Sequence, residues 1–273
     1  MAQTGSVDIG IIDGVGHRRD LQDAVDYEVR TPYGSTSTPV RIGLLGGRRV
    51  ATIVRRGVDG VLQSHLVPYR ANIWALASLG VTSLVTTSPA GGLRDSFAPG
   101  MFVVTDQLID RTSNRPFTFY DEGVAVELAA AYPFDPTLRG LASEALAGMQ
   151  IRYRDFGTAV VINGPRFSTQ AESRWYAAAG ADIVGRTLLP ETVLAMELGM
   201  GVVNVSFITG SEAGANAVPS EAGTEFVRRR ITAVSPTLDR TLAEIVRTIP
   251  TGFHPSTTVA PEAIAGVLAR EPQ

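Results

Sequence analysis

Val81-Thr82-Ser83-Leu84-Val85-Thr86-Thr87 is the stretch on which the fold turns. It is rich in β-branched residues and does not alternate apolar with polar. That pattern fits a strand buried on both faces, which needs helices above and below it. Directly before it, residues 69–79 read as a helix, with Gly80 at the position that ends one. A helix feeding a doubly buried strand is the unit of an α/β domain.

Working outward, the same grammar repeats. Residues 7–12 read as a first strand that ends in the turn Asp13-Gly14-Val15-Gly16. Residues 40–45 and 49–54 flank Gly46-Gly47 and read as a hairpin. Downstream, 100–108, 158–162, 181–184 and 201–208 are predicted strands. Helices are predicted over 136–149, 168–179, with Ser168 as N-cap, and 190–198. A last helical stretch covers 221–247, with Pro236 as an expected kink or break. Residues 88–92 and 209–220 read as loops. No linker or repeat divides the chain. The expected architecture is a single α/β domain over 1–250, a central mixed β-sheet flanked by helices, and a tail over 251–273 whose Pro, Thr and Gly suit partial mobility.

Composition narrows the chemistry. The 273 residues are 44% apolar and 19% charged, enough to bury a sizeable core. The net charge of -3 gives no electrostatic case for nucleic acid or an anionic membrane. There is no cysteine, which excludes disulfides and thiolate chemistry. Every one of the 24 basic residues is arginine, so Schiff-base and P-loop lysines are excluded too. The three histidines, His17, His65 and His254, lie far apart, and no metal site is expected. With no signal peptide and no apolar run of transmembrane length, the expected compartment is the cytoplasm.

Loops at strand carboxyl ends form the binding crevice of such sheets. Asp13-Gly14-Val15-Gly16 invites a dinucleotide reading, but Arg19 stands where that fingerprint needs glycine, and a plain turn explains the glycines equally well. Arg55-Arg56 can fork onto an oxyanion or sit in a solvated loop. Thr86-Thr87-Ser88 suits an oxyanion, although Pro89 brings no N–H. Phe167 leads into a helix and is either a ligand platform or a core residue.

Together these loops resemble the purine nucleoside phosphorylase and methylthioadenosine phosphorylase family. The resemblance runs from about residue 7 to 249. Its most specific pieces are Tyr69-Arg70-Ala71-Asn72-Ile73-Trp74-Ala75-Leu76, Asp106-Gln107-Leu108-Ile109-Asp110-Arg111-Thr112 and Gly164-Pro165-Arg166-Phe167-Ser168-Thr169-Gln170-Ala171-Glu172, extended by Pro190-Glu191-Thr192-Val193-Leu194-Ala195. Ser168 after Phe167 looks like the methylthioadenosine branch. The resemblance implies phosphorolysis of a purine nucleoside, adenosine-type and in some cases 5′-modified, to free base and pentose 1-phosphate. It implies no cofactor, inorganic phosphate as co-substrate, and a homotrimer in which residues 117–133 are the edge lent to a neighbour's site.

Carried over by position, the site is uneven. Arg55, Arg56, Ser88 and Thr187 fall on the phosphate positions, Arg56 replacing histidine and Ser88 replacing threonine. A hydroxyl residue of the first loop is Val15, a second histidine is Gly60, and a backbone donor is Pro89. Phe167, Ser168, Arg186 and Gly210 fall on nucleoside-binding positions, Arg186 replacing methionine. The aspartate pair that reads the purine is here Thr209-Gly210-Ser211-Glu212, leaving Glu212 and Ser211 as the catalytic candidates. These departures leave two alternatives open. One is a scaffold repurposed as a hydrolase or as an enzyme on an anionic ligand. The other is a nucleoside-binding protein without turnover.

Overall fold

The structure is a computed structural model that describes residues 7–16, 18–212 and 224–272. The run that begins at Val81 becomes β5 (Ser83–Gly92), at the centre of a mixed sheet of eleven strands among the described residues. β1 (Ile9–Asp13) runs parallel to its first half, Ile9 opposite Ser83 and Ile12 opposite Thr86. β11 (Gly201–Ser211) runs parallel along the other edge, from Gly201 opposite Ser83 to Ser211 opposite Gly92. Beyond Thr87 the first edge passes to β10 (Ile183–Gly185), antiparallel, with Ile183 opposite Gly92. One long strand therefore serves two half-sheets. β4 (Arg48–Val54), β3 (Val40–Leu45) and β2 (Gln22–Tyr27) continue beyond β1. β9 (Thr158–Ile162) and β7 (Gln107–Arg111) continue beyond β10, while β6 (Phe102–Val104) and β8 (Tyr153–Arg154) lie beyond β11.

Period-two alternation sends neighbouring side chains to opposite cores. Ile12, Leu84 and Val202 face the core capped by α1 (Tyr69–Ser78) and α4 (Leu188–Glu197). Ile9, Ile11, Val85 and Val203 face the core capped by α2 (Pro136–Gly148) and α5 (Thr224–Thr248). Helix signals in the sequence act locally. Asp135 accepts from Leu138 N at 3.0 Å with Pro136 in the first turn of α2. α3 (Gln170–Ala178) starts one residue later than Ser168 allows: Thr169 is the N-cap, and it forms a reciprocal capping box with Glu172. Arg166 donates two hydrogen bonds to Glu172, each 2.6 Å, and these bonds, with the backbone bond from Thr169, lower the carboxyl pKa to about 2.

Several expectations need correction. Residues 88–92 are not a loop, because β11 on one edge and β10 on the other keep β5 extended to Gly92. The strand expected over 100–108 is two strands, β6 and β7, in different parts of the sheet. α5 continues through Pro236, since Leu238, Leu242 and Ile245 bury the half that follows it. Residues 221–223 of that stretch lie outside the described residues, as do 213–220 of the expected loop. The tail carries α6 (Pro261–Leu268), which docks on α1: Val267 is buried, and Trp74 Nε1 donates to its carbonyl at 3.1 Å.

Candidate active site

A cavity of about 840 Å³ opens where β1, β4, β5, β10 and β11 end, roofed by the first turns of α5. Gly14, Arg55, Arg56, Phe167, Arg186, Thr187, Gly210, Ser211 and Glu212 all line it. The chain thus brings eight of the ten expected site residues to one place from four separate loops and strand ends.

Two expected residues do not line the cavity. Ser88 is buried within β5, opposite Ser206, with Asn204 Nδ2 at 3.4 Å from its Oγ. Thr86 and Ser88 share a strand face, so both hydroxyls turn to the buried cluster of Asn204, Thr105 and Ser206. Pro89, Ala90 and Gly91, next along the strand, meet the cavity instead. Ser168 lies behind Glu212, its hydroxyl helping, with that of Ser173, to restrain the Glu212 pKa.

Arg55 is at the cavity wall, but its guanidinium is already committed. Nε and Nη2 each donate to the Glu191 carboxylate at 2.6 Å, and Nη1 donates to the Thr87 carbonyl at 2.7 Å. Both residues of the pair are 1% exposed. Burial alone would lower the Arg55 pKa, but Glu191 outweighs it and the pKa is raised. Arg55 therefore ties the ends of β4 and β5 to α4, and it is not available as a free anion hook. Gly14 belongs to the same junction: a Cβ there would stand 2.1 Å from the Thr87 carbonyl oxygen. The first-loop amides are also spent, Gly14 N–H on Thr87 Oγ1 at 2.9 Å and Val15 N–H on Asp13 Oδ1 at 2.6 Å.

The donors left for an anion are Arg56, Arg186 and Thr187. Arg56 Nε donates to the Leu62 carbonyl at 2.6 Å, which leaves its terminal nitrogens toward the cavity. Thr187 directly precedes α4 and makes no side-chain cap bond there. Arg186 lies over the Phe167 ring, its guanidinium carbon 4.3 Å from the ring centroid. The aromatic platform anticipated from the sequence is thus faced by a guanidinium.

Glu212 is a carboxylate of the same cavity, within electrostatic reach of Arg186. Its backbone N–H donates to the Gly92 carbonyl at 2.7 Å, which continues the β11–β5 register by one residue. Its side chain passes over Gly91, where a Cβ would come within 2.7 Å of Oε1. Burial raises its pKa, against opposing contributions from Ser168, Arg186 and Ser173. Oε2 is buried and has no hydrogen-bond partner among the described residues. A carboxyl of this kind holds a proton where an exposed glutamate would have lost it, and can give it to a leaving group.

Two structural residues escaped the reading of the sequence. Arg115, from the irregular segment after β7, donates to the carbonyls of Arg186 (2.8 Å), Ile162 (3.3 Å) and Asn163 (3.1 Å). It fixes the backbone on which both Arg186 and the Phe167 loop depend. Asp13 pairs with buried Arg19 at 2.7 Å, and Arg19 pairs in turn with Asp239 of α5. This clasp holds the first loop to the helix that roofs the cavity. Arg115 lies in no recognisable motif, and the turn that begins at Asp13 carries no sign of its pairing with Arg19; only the folded chain brings their partners to them.

Comparison with known proteins agrees with this geometry. A family profile described as the phosphorylase superfamily matches residues 8–247. The S-methyl-5'-thioadenosine phosphorylase of Thermofilum pendens is 42% identical over 246 residues, 89% of this chain and 93% of that protein. The purine nucleoside phosphorylase of Streptomyces coelicolor is 39% identical over 236 residues, 84% of each chain. Among solved structures, the methylthioadenosine phosphorylase of Schistosoma mansoni in complex with adenine superposes with a TM-score of 0.83 at 28% identity, covering 97% of both chains.

Proposed function

The chain belongs to the phosphorylase superfamily, and from that premise we propose that it cleaves the N-glycosidic bond of a purine nucleoside with inorganic phosphate. The products are the free base and a pentose 1-phosphate. The observation that carries this reading is one cavity lined by Arg56, Thr187 and Glu212, a carboxyl whose pKa burial raises.

The step balances simply. A phosphate oxygen forms a bond to C1′ as the C1′–N9 bond breaks, and the electron pair leaves with the purine. A proton then reaches the ring, with N7 as its acceptor and Glu212 as its source. Arg56 and the Thr187 hydroxyl hold the phosphate below the sugar. Positioning supplies much of the rate, and Glu212 acts where charge develops on the leaving base. Ser211 is assigned to the same edge of the base. Inorganic phosphate is the only co-substrate in this scheme, and no cofactor is called for. The test is adenine release from adenosine and 5′-methylthioadenosine with and without phosphate. Release that does not depend on phosphate would replace phosphorolysis by hydrolysis.

Gly210 stands on β11 where an acid would sit beside the base. Among the described residues a Cβ there would meet only Phe226 Cε1, at 3.8 Å. Gly210→Asp is expected to raise kcat for 5′-methylthioadenosine, because a second acid would join Glu212. Unchanged or lower adenine release at saturating phosphate would show that the leaving group is served by another route.

Two coarser readings belong with this assignment. Among the described residues no helix is long and apolar enough to cross a membrane, and we assign the enzyme to the cytoplasm. We also propose a homotrimer. In the segment 117–133, Phe119 is buried and its N–H donates to Glu197, whereas Val124 is 68% and Tyr132 83% exposed. Those two side chains are suited to cover a neighbour's cavity. Light scattering at micromolar concentration should give three times the chain mass; a monomer would remove this part of the proposal.

A further inference from the structure

Arg186 is the side chain whose surroundings say most about the ligand. Its guanidinium carbon lies 4.3 Å from the Phe167 ring centroid, and among the described residues Nη1 reaches only the Pro165 carbonyl, at 3.4 Å. Among the described residues it forms no salt bridge, and neither does Arg56. The fully buried arginines nearby are committed: Arg55 to Glu191, Arg19 to Asp13. A half-buried cation with most of its N–H groups unused is held at a cost until an anion arrives. Burial lowers the Arg186 pKa and nearby Arg56 lowers it further, with Glu212 opposing.

The two arginines reach the cavity from different strands, within electrostatic range of each other. Arg56 leaves the end of β4, beside the turn in which Asp59 N–H donates to the Gly16 carbonyl at 2.8 Å. Arg186 leaves the end of β10, against the ring of Phe167 and within electrostatic reach of Glu212. With one inorganic phosphate at Arg56 and Thr187, Glu212 is the one acidic group among the described residues that acts on Arg186. The volume of about 840 Å³ is ample for a ligand of nucleotide size together with phosphate.

From the Arg186–Phe167 stack and the few hydrogen bonds that Arg186 makes among the described residues, we infer that the preferred substrate is a purine nucleoside carrying its own anionic group, a carboxylate or phosphate, on the ribose. Arg186 binds that group, and Phe167 holds the guanidinium plane for a two-pronged contact. The inference rests on the phosphorolysis reading of the same cavity. The chemistry is unchanged: C1′–N9 breaks, C1′–O forms, and the second anion stays on the pentose 1-phosphate. Neutral nucleosides leave Arg186 desolvated and unpaired, so the cavity discriminates against them.

The test compares binding of adenosine with that of its 2′-, 3′- and 5′-monophosphates and adenosine 5′-carboxylate, by calorimetry at saturating inorganic phosphate. Excess phosphate occupies the Arg56 side, so it separates an anion borne by the nucleoside from one competing for the phosphate position. At least one anionic nucleoside is expected to bind about tenfold or more tightly than adenosine. Arg186→Met should abolish that ratio. A ratio near one in the wild-type protein overturns the inference, whether or not the variant folds. So does a preference that vanishes as phosphate is raised, because the nucleoside anion is then using the phosphate position. Adenine release is read in parallel. An anionic preference without any phosphate-dependent base release would sink the phosphorolysis reading and leave the binding preference standing. Rapid phosphorolysis without the preference would do the reverse.

Discussion

Arg55→Met is expected to cost about 3–5 kcal/mol of folding stability, the range for removing one partner of a buried ion pair. The substitution strands the Glu191 carboxylate, itself 1% exposed, with no cation in reach. It also frees the Thr87 carbonyl, which accepts from Nη1 at 2.7 Å. Urea unfolding monitored by circular dichroism should show a lower midpoint at a similar slope. The double variant Arg55→Met with Glu191→Leu should recover much of the loss, because neither charge then needs a partner. If the single variant unfolds with the wild-type midpoint but loses phosphate affinity, Arg55 is an anion ligand and not a tie between β4, β5 and α4. A sequence motif alone cannot tell these apart, since Arg55 and Arg56 are equal candidates until the position of Glu191 is known.

Glu212→Ala is expected to lower kcat for adenine release by about 10²–10³ at saturating phosphate, the usual loss when a single positioned acid or donor is removed. KM should change much less, because proton donation acts in the transition state. The pH dependence gives a second readout. Burial keeps the Glu212 pKa above that of an ordinary carboxyl, so the proton needed by the base is present at low pH. It is lost as pH rises through this raised value, and kcat should fall with it. Glu212→Gln keeps the shape of the side chain but has no proton to give, and its kcat should lack that alkaline descent. Retention of the descent in Glu212→Gln would assign it to another group. A KM effect larger than the kcat effect in Glu212→Ala would make Glu212 a binding residue.

Much of the fold was legible from residue pattern. β9 is found at residues 158–162, as predicted, and the 40–45 and 49–54 hairpin and the helices at 69–79 and 136–149 differ from the structure by a residue or so. Those elements carry their signals locally: a continuous apolar run, a Gly-Gly turn, Pro136 after Asp135. The family resemblance likewise rests on runs of contiguous residues, and the profile over 8–247 agrees with it. What failed depended on neighbours far away in the chain. Residues 88–92 look like a turn because of Pro89 and two glycines, yet ladder pairing from β10 and β11 holds them extended. Ser88 has the chemistry of an anion donor, but the strand alternation points it at Asn204, on β11 116 residues away. Arg55 has the chemistry of an anion hook, but Glu191, 136 residues on, claims it first. Residue types fixed which groups were available in this protein. Only the tertiary structure decided which of them still had unspent hydrogen bonds to offer a ligand, because a guanidinium or hydroxyl serves whichever acceptor folding brings nearest.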